Sequence, residues 1–328
     1  MIATKKLYLI STILLIGCSG YKTNSYCNKG LVLEDISPAK HIKGVEVAKG
    51  SELNGSDGLQ LTDDYIIVSF SDRENIYSAF DLNGKFLLEF GQMGHAENEF
   101  LTCQLNKQHW GNSFVVNDVN AGQLRVVDLE KTLADRVTSV NKHIKTGAYS
   151  TNAQVLPDES ILFLQQVEDN FKLIIKRQGN VKLEKDMYEP TPFPFPAYHC
   201  SSCVNSDGKI LAFPMVYINQ VNFYDLSTNN KYSVSLYDAP ATYDNDNCHI
   251  YYCSVCSDGK YIYALFMNQS LEDSFDKFQK SEIHQFDFRG NLIQTYLCNE
   301  YLIDIDVSNS GIIYGLGCNE ILYSSFAS

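Results

Sequence analysis

One aspartate between two hydrophobic residues recurs down this chain at nearly even spacing. The triplet occurs as Phe80-Asp81-Leu82, Val127-Asp128-Leu129, Tyr224-Asp225-Leu226 and Phe286-Asp287-Phe288. Asp81 to Asp128 is 47 residues, and Asp128 to Asp225 is 97, close to two steps of that length. The skipped step falls near residue 176, where Arg177-Gln178-Gly179-Asn180 reads as a hairpin turn between two apolar runs. Asp225 to Asp287 is 62. The polar stretch from Asn268 to Lys280 accounts for the excess, with Ser270 to Asp273 spaced to cap a short helix. A fixed period of this length marks stacked supersecondary units.

A second element precedes each triplet: a turn followed by a short apolar strand. Its copies start at Thr62-Asp63-Asp64, Gly111-Asn112, Pro157-Asp158, Asp207-Gly208-Lys209, Asp258-Gly259-Lys260 and Asn309-Ser310-Gly311. Asn-Gly and Asp-Gly tolerate the positive φ of tight hairpins. Short strands at even spacing with few helical patterns predict an all-β protein. Each unit reads as a four-stranded antiparallel meander, one propeller blade. Six copies predict a six-bladed β-propeller over residues 31–328. The sixth unit lacks its last strand, so the unassigned segment Leu31–Val47 is expected to supply it and close the ring.

Ahead of that domain, Lys5 and Lys6 precede an apolar run from Leu7 to Ile16, too short to span a membrane. The run ends in Leu15-Ile16-Gly17-Cys18, which resembles the lipobox of bacterial lipoproteins. That resemblance implies removal of residues 1–17 and a lipid on Cys18. Residues 18–30 are small and polar and read as a flexible tether. They lack the run of acidic residues just after the cysteine that would resemble the surface-export signal of Bacteroidetes lipoproteins, so the resemblance implies a lipid anchor in the outer membrane facing the periplasm. Losing residues 1–17, with Lys5 and Lys6, takes the formal net charge from −13 to −15. This acidity excludes nucleic acid as a partner class and leaves the lipid as the sole membrane contact. Nine further cysteines remain, an odd number, and are expected to be mostly small buried hydrophobes.

The loop Phe90-Gly91-Gln92-Met93-Gly94-His95-Ala96-Glu97-Asn98-Glu99-Phe100, with the lipobox and the six units, resembles the TolB-like six-bladed propeller lipoproteins of Bacteroidetes, which are similar to NHL-type propellers. Their loop is roughly F-G-x-x-G-x-G-P-x-E-F. Gly91, Gly94, Glu99 and Phe100 match it, and Ala96 and Glu97 stand where the family has Gly-Pro. The resemblance implies interaction roles and brings no established catalytic activity to carry over.

Local catalytic motifs are absent: no G-x-S-x-G, H-E-x-x-H, P-loop or dinucleotide fingerprint. Glu97 and Glu99 share a face if extended, with His95 beside them. They suit a hard cation such as Ca or a sugar hydroxyl, or simply a solvated loop in which Glu99 caps its turn. Trp110, the single tryptophan, suits sugar or peptide stacking at a rim, but its place in a strand pattern favours core packing. The pairs Cys200/Cys203 and Cys253/Cys256 have C-x-x-C spacing and fall on adjacent inner strands. Zn or redox chemistry there competes with plain packing, since residues i and i+3 of a flat strand face opposite ways. Glu189 to Pro196 alternates proline with aromatics and reads as an extended connector or a rim recognition loop. The reading is a lipid-anchored binding or scaffolding propeller for an envelope protein, peptide or glycan. The alternative is a hydrolase or lactonase-like enzyme with a channel metal. It predicts several Asp, Glu, Asn or His side chains converging at one channel mouth, with Glu97, Asp118, Asp158 and His199 the first to test.

Overall fold

The sequence period is the length of one blade. The computed structural model describes residues 20–22, 26, 30–33, 39–147, 150–167, 170–188, 201–236, 248–270, 272–273 and 280–325. Four short strands come first: β1 (Gly20–Lys22), β2 (Gly30–Leu33), β3 (Lys40–Ile42) and β4 (Val45–Lys49). Blade one is β5 (Ser56–Leu61), β6 (Tyr65–Phe70), β7 (Asn75–Asp81) and β8 (Phe86–Gln92). Blade two is β9 (Gln104–Trp110), β10 (Ser113–Asp118), β11 (Gln123–Asp128) and β12 (Val140–Lys145), with helix α1 (Leu129–Asp135) before its last strand. Blade three is β13 (Ser150–Val155), β14 (Ile161–Val167), β15 (Asn170–Arg177) and β16 (Asn180–Asp186). Blade four is β17 (Cys203–Val204), β18 (Ile210–Pro214), β19 (Val221–Asp225) and β20 (Asn230–Leu236). Blade five is β21 (His249–Ser257), β22 (Tyr261–Ser270), β23 (Glu282–Asp287) and β24 (Leu292–Cys298). Blade six has only β25 (Leu302–Val307), β26 (Ile313–Gly317) and β27 (Ile321–Ser325) of its own. Six antiparallel sheets in a ring make a six-bladed β-propeller, as the spacing predicts. Among the described residues, no helix is long and apolar enough to cross a membrane.

The repeated aspartate ends the third strand of a blade and holds the turn after it. Asp81 accepts from the Asn83 and Lys85 amides, and Asp287 from those of Arg289 and Asn291, all at 2.9 Å. Asp225 does the same for Ser227 and Thr228, while Asp128 caps α1 through the Lys131 amide at 3.0 Å. A carboxylate here satisfies amides that the turn leaves without strand partners. Gly84 sits in the first of these turns at φ 83°, where a Cβ would strike the Val47 carbonyl.

Ring closure follows the expectation and exceeds it. β4 pairs antiparallel with β27, Ile321 opposite Lys49, and completes blade six. The preceding strands continue the same belt. β3 lies parallel on β24 of blade five, β2 lies parallel on β20 of blade four, and β1 folds back on β2. The expected free tether is therefore docked where it is described. Tyr26, 2% exposed, donates its hydroxyl to the Phe223 carbonyl at 2.8 Å and stands edge-on to Phe213. Blades four to six wear this belt, while β8, β12 and β16 end the sheets of blades one to three.

The core is six separate clusters, one at each seam between neighbouring blades. Five of them hold ten to thirteen buried residues. The seam between blades two and three holds five among the described residues: Val115, Leu124, Ala153, Phe163 and Ile174.

Candidate functional site

The six inner strands line the central axis, and five of them break register with their neighbour. The shifts lie at Ser56/Gly58 in β5, opposite Phe114/Val116 in β9, at Thr151/Gln154 in β13, around Tyr252 in β21 and at Leu302/Asp304 in β25. Such bulges twist a strand and re-aim its side chains. Lys107 and Asn152, at φ 64° and 49°, take the left-handed conformation at two of them. The re-aimed polar groups bind the next blade's backbone. Gln60 donates to the Gln108 carbonyl at 2.6 Å. Gln108 pairs with both the amide and the carbonyl of Val155, at 2.8 and 3.0 Å. Gln154 donates to the Ser202 carbonyl at 3.0 Å.

Ring closure uses charge. Asp304 and Asp306 of blade six accept the Leu59 and Leu61 amides of blade one at 2.6 and 2.7 Å. Ser254 of blade five also donates to Asp304. Lys107 of blade two crosses the inner strand of blade one to place Nζ 2.7 Å from Asp304, and also donates to the Leu59 carbonyl. The two side chains are 9% and 13% exposed, so solvent screens the pair little. Burial opposes the Lys107 charge, but Asp304 and Asp306 outweigh it and its pKa rises. Burial raises the Asp306 pKa, with Lys107 opposing.

The strand order defines two faces. The lower face carries the first and third turns of each blade; the upper face carries the second turns and the links between blades. A cleft of 680 Å³ opens on the lower face. It runs from the axis, at Ser257 and Asn205, outward through the seam of blades two and three. Val126 and Ile144 form one wall and Val155, Leu156 and Pro157 the other. This volume suits a small ligand or a few linked residues. It opens where the seam's apolar cluster is smallest. Trp110 stands on its border at the end of β9, 48% exposed, beside His109 and Lys142. The core role expected for Trp110 is therefore incorrect. The strand ends there, and the ring projects past the sheet.

The Phe90–Phe100 loop lies on the upper face and is a strut. Gly91, at φ 77°, donates to Thr138 of blade two at 2.9 Å, and a Cβ there would meet the Tyr77 ring. Glu99 accepts the Ala96 amide at 2.9 Å, capping its own turn. Phe100 is buried edge-on to Tyr77, centroids 5.6 Å apart. Gly94 donates its amide to the Phe100 carbonyl at 2.9 Å, so all four residues that match the family pattern hold the loop together. Glu97 gives its carbonyl to Arg125 at 2.8 Å, and its side chain and that of His95 are exposed. Glu97 and Glu99 are separated by the turn and share no face. Asp118 is fully buried, 3.0 Å from Arg125, and accepts the Leu101 and Thr102 amides.

Asp158 lies on the lower face and accepts from the amide and hydroxyl of Ser160, which hold its carboxyl below the usual range. Asp118 and Glu97 on one face and Asp158 on the other do not converge at one mouth. His199, Cys200, Cys18 and the Glu189–Pro196 stretch lie outside the described residues. Cys203, Cys253 and Cys256 are free thiols whose pKa values burial raises. Cys203 packs in the seam of blades four and five. Cys253 and Cys256 share the seam of blades five and six, because the bulge in β21 cancels the alternation that would separate them. Among the described residues, no three His, Cys, Asp or Glu side chains are placed to hold a metal.

No protein-family model matches the chain, and no curated protein matches it. Solved structures do. A hydrazine synthase of Kuenenia stuttgartiensis has 12% identity and a TM-score of 0.53, over 85% of this chain and 97% of that one. A DUF4221 family member from Bacteroides vulgatus has 10% identity and a TM-score of 0.52, over 88% and 97%. A streptogramin B lyase structure has 12% identity and a TM-score of 0.47, over 87% and 97%. At such identities the likeness is one of fold alone, that of the β-propeller.

Proposed function

We propose that this protein is a lipid-anchored, TolB-like binding propeller of the cell envelope that takes a peptide or glycan segment in its lower-face cleft. The cleft itself carries the reading: 680 Å³ between two blades, with a half-exposed tryptophan on its border. Two sheets give it apolar walls, while Asn141, Lys142 and Glu159 supply polar groups at its edge. An aromatic plate beside apolar walls and a few polar groups suits a ring face or a side chain that must shed water. The lipobox-like Leu15–Cys18 and the net charge of −13 support an anchored envelope protein that touches the bilayer through its lipid. The absence of an acidic run after Cys18 supports a periplasm-facing outer-membrane location. No residue is assigned a catalytic step.

The test is a crosslinking pull-down of the tagged protein from its own membranes, read by mass spectrometry, beside Trp110→Ala. A bound chain crosslinked to residues around the cleft, and lost in Trp110→Ala, is expected. Crosslinks confined to the upper face and insensitive to Trp110 would overturn the cleft as the site.

A further inference from the structure

The N-terminal belt fixes where an anchor leaves the molecule. β20 starts at the third turn of blade four, on the lower face, where the Leu226 amide meets the Lys209 carbonyl, and it ends on the upper face. β2 runs parallel to it, so Leu33, opposite Leu236, is its upper end. β1 is antiparallel to β2, with Gly20 opposite Val32 and Lys22 opposite Gly30. The chain therefore enters β1 at the upper end of the blade-four rim and runs downward. Tyr26 pins the next turn of the belt between blades three and four, through Phe223 and Phe213. Ser19 alone separates Cys18 from Gly20, so the chain between the anchor and the rim is two residues long, a reach of at most about 7 Å.

We infer that the upper end of the blade-four rim is the membrane-facing surface of this protein, and that the lower face, with its cleft, is held away from the bilayer. The partner is a lipid surface engaged through the anchor. This rests on the reading of Cys18 as the lipidated residue. A free tether of the length expected from the sequence would let the ring tumble; a tether of two residues keeps that end of the rim next to the bilayer. The cleft lies a quarter of the way around the ring from blade four and on the opposite face from the anchor, so a segment of another envelope molecule reaches it without crossing lipid.

The test uses the full lipoprotein in vesicles that contain a photoactivatable phospholipid, with labelled peptides mapped by mass spectrometry. Label is expected to be several-fold richer on the upper end of the blade-four rim, residues 20–21, 32–33 and 235–236, than on the lower-face turns at 110–113 and 157–160. Equal or greater label on those turns would overturn the stance. A long Gly-Ser insertion between Ser19 and Gly20 is expected to erase the enrichment, since a flexible linker spreads the ring over many orientations. Enrichment that survives the insertion would show that the short tether does not set the stance. The mass of the N-terminal peptide reports separately whether Cys18 carries lipid. If it does not, the same labelling is run on a chain coupled through residue 18 to a synthetic lipid. The same two outcomes then judge the stance apart from the anchor.

Discussion

Two seams of the ring face each other in design. Between blades six and one, ten buried apolar residues are backed by Asp304 and Asp306 on the neighbouring backbone and by Lys107 reaching in from blade two. Between blades two and three, five buried apolar residues among those described, and neutral hydrogen bonds from Gln108, Asn106 and Asn117 to the blade-three backbone, share the seam with an open cleft. The first seam joins the two ends of the chain, since β5 and β25 come from opposite ends of the sequence. Closing that loop costs conformational entropy that a seam between consecutive blades does not face to the same degree. The second seam is continuous in sequence and holds its blades together with less. The difference teaches that the ring is locked where topology demands it and left open where a ligand has room to enter.

The largest expected effect breaks the locked seam. Asp304→Ala leaves the Lys107 ammonium and the Leu59 amide buried without their partner, and is expected to cost about 3–5 kcal/mol, read by denaturant unfolding. Sensitivity to pH comes next. Lys107 keeps a raised pKa in the fold, so the folded chain holds its proton where the unfolded chain has begun to lose it. The stabilisation is full below about pH 10.5 and is lost as pH rises through the folded value. Lys107→Met is therefore expected to flatten the alkaline fall in stability by up to about 1.4 kcal/mol per pH unit. Equal slopes in the two chains would remove the ion pair from the lock.

On the open seam, Gln108→Ala frees the Val155 amide and carbonyl beside a cleft that water enters. It is expected to cost about 1 kcal/mol by the same unfolding assay. A greater loss than for Asp304→Ala would reverse the comparison. The smallest effect is at Trp110. Its replacement by alanine is expected to shift stability by less than about 0.5 kcal/mol, because the ring is half exposed, while removing capture of the cleft ligand.

Much of this ring is legible in the sequence because its turns repeat. Asp81, Asp225 and Asp287 recur because each third strand must end in a turn whose amides need an acceptor. The missing last strand of blade six likewise announces that another segment fills it. The belt is less legible. Gly30–Leu33 and Lys40–Ile42 are short and parallel to β20 and β24, so no hairpin signal joins them to those strands, and Tyr26 is one of two tyrosines in a polar stretch. The inner-strand bulges leave no pattern at all, and with them go the roles of Lys107 and of Cys253 and Cys256. Glu97 and Glu99 alternate as a strand would, but the Gly94–Phe100 turn overrides the alternation. Trp110 reads as a strand residue because it is one; its exposure comes from being the last.

Native-state hydrogen exchange on the free protein tests the contrast between the seams most directly. Amides of β5 and β25 are expected to exchange only with global unfolding, while those of β12 and β13 beside the cleft open at lower free energy. Uniform protection around the ring, or earlier opening of β25 than of β12, would contradict a locked closure seam and an open seam between blades two and three.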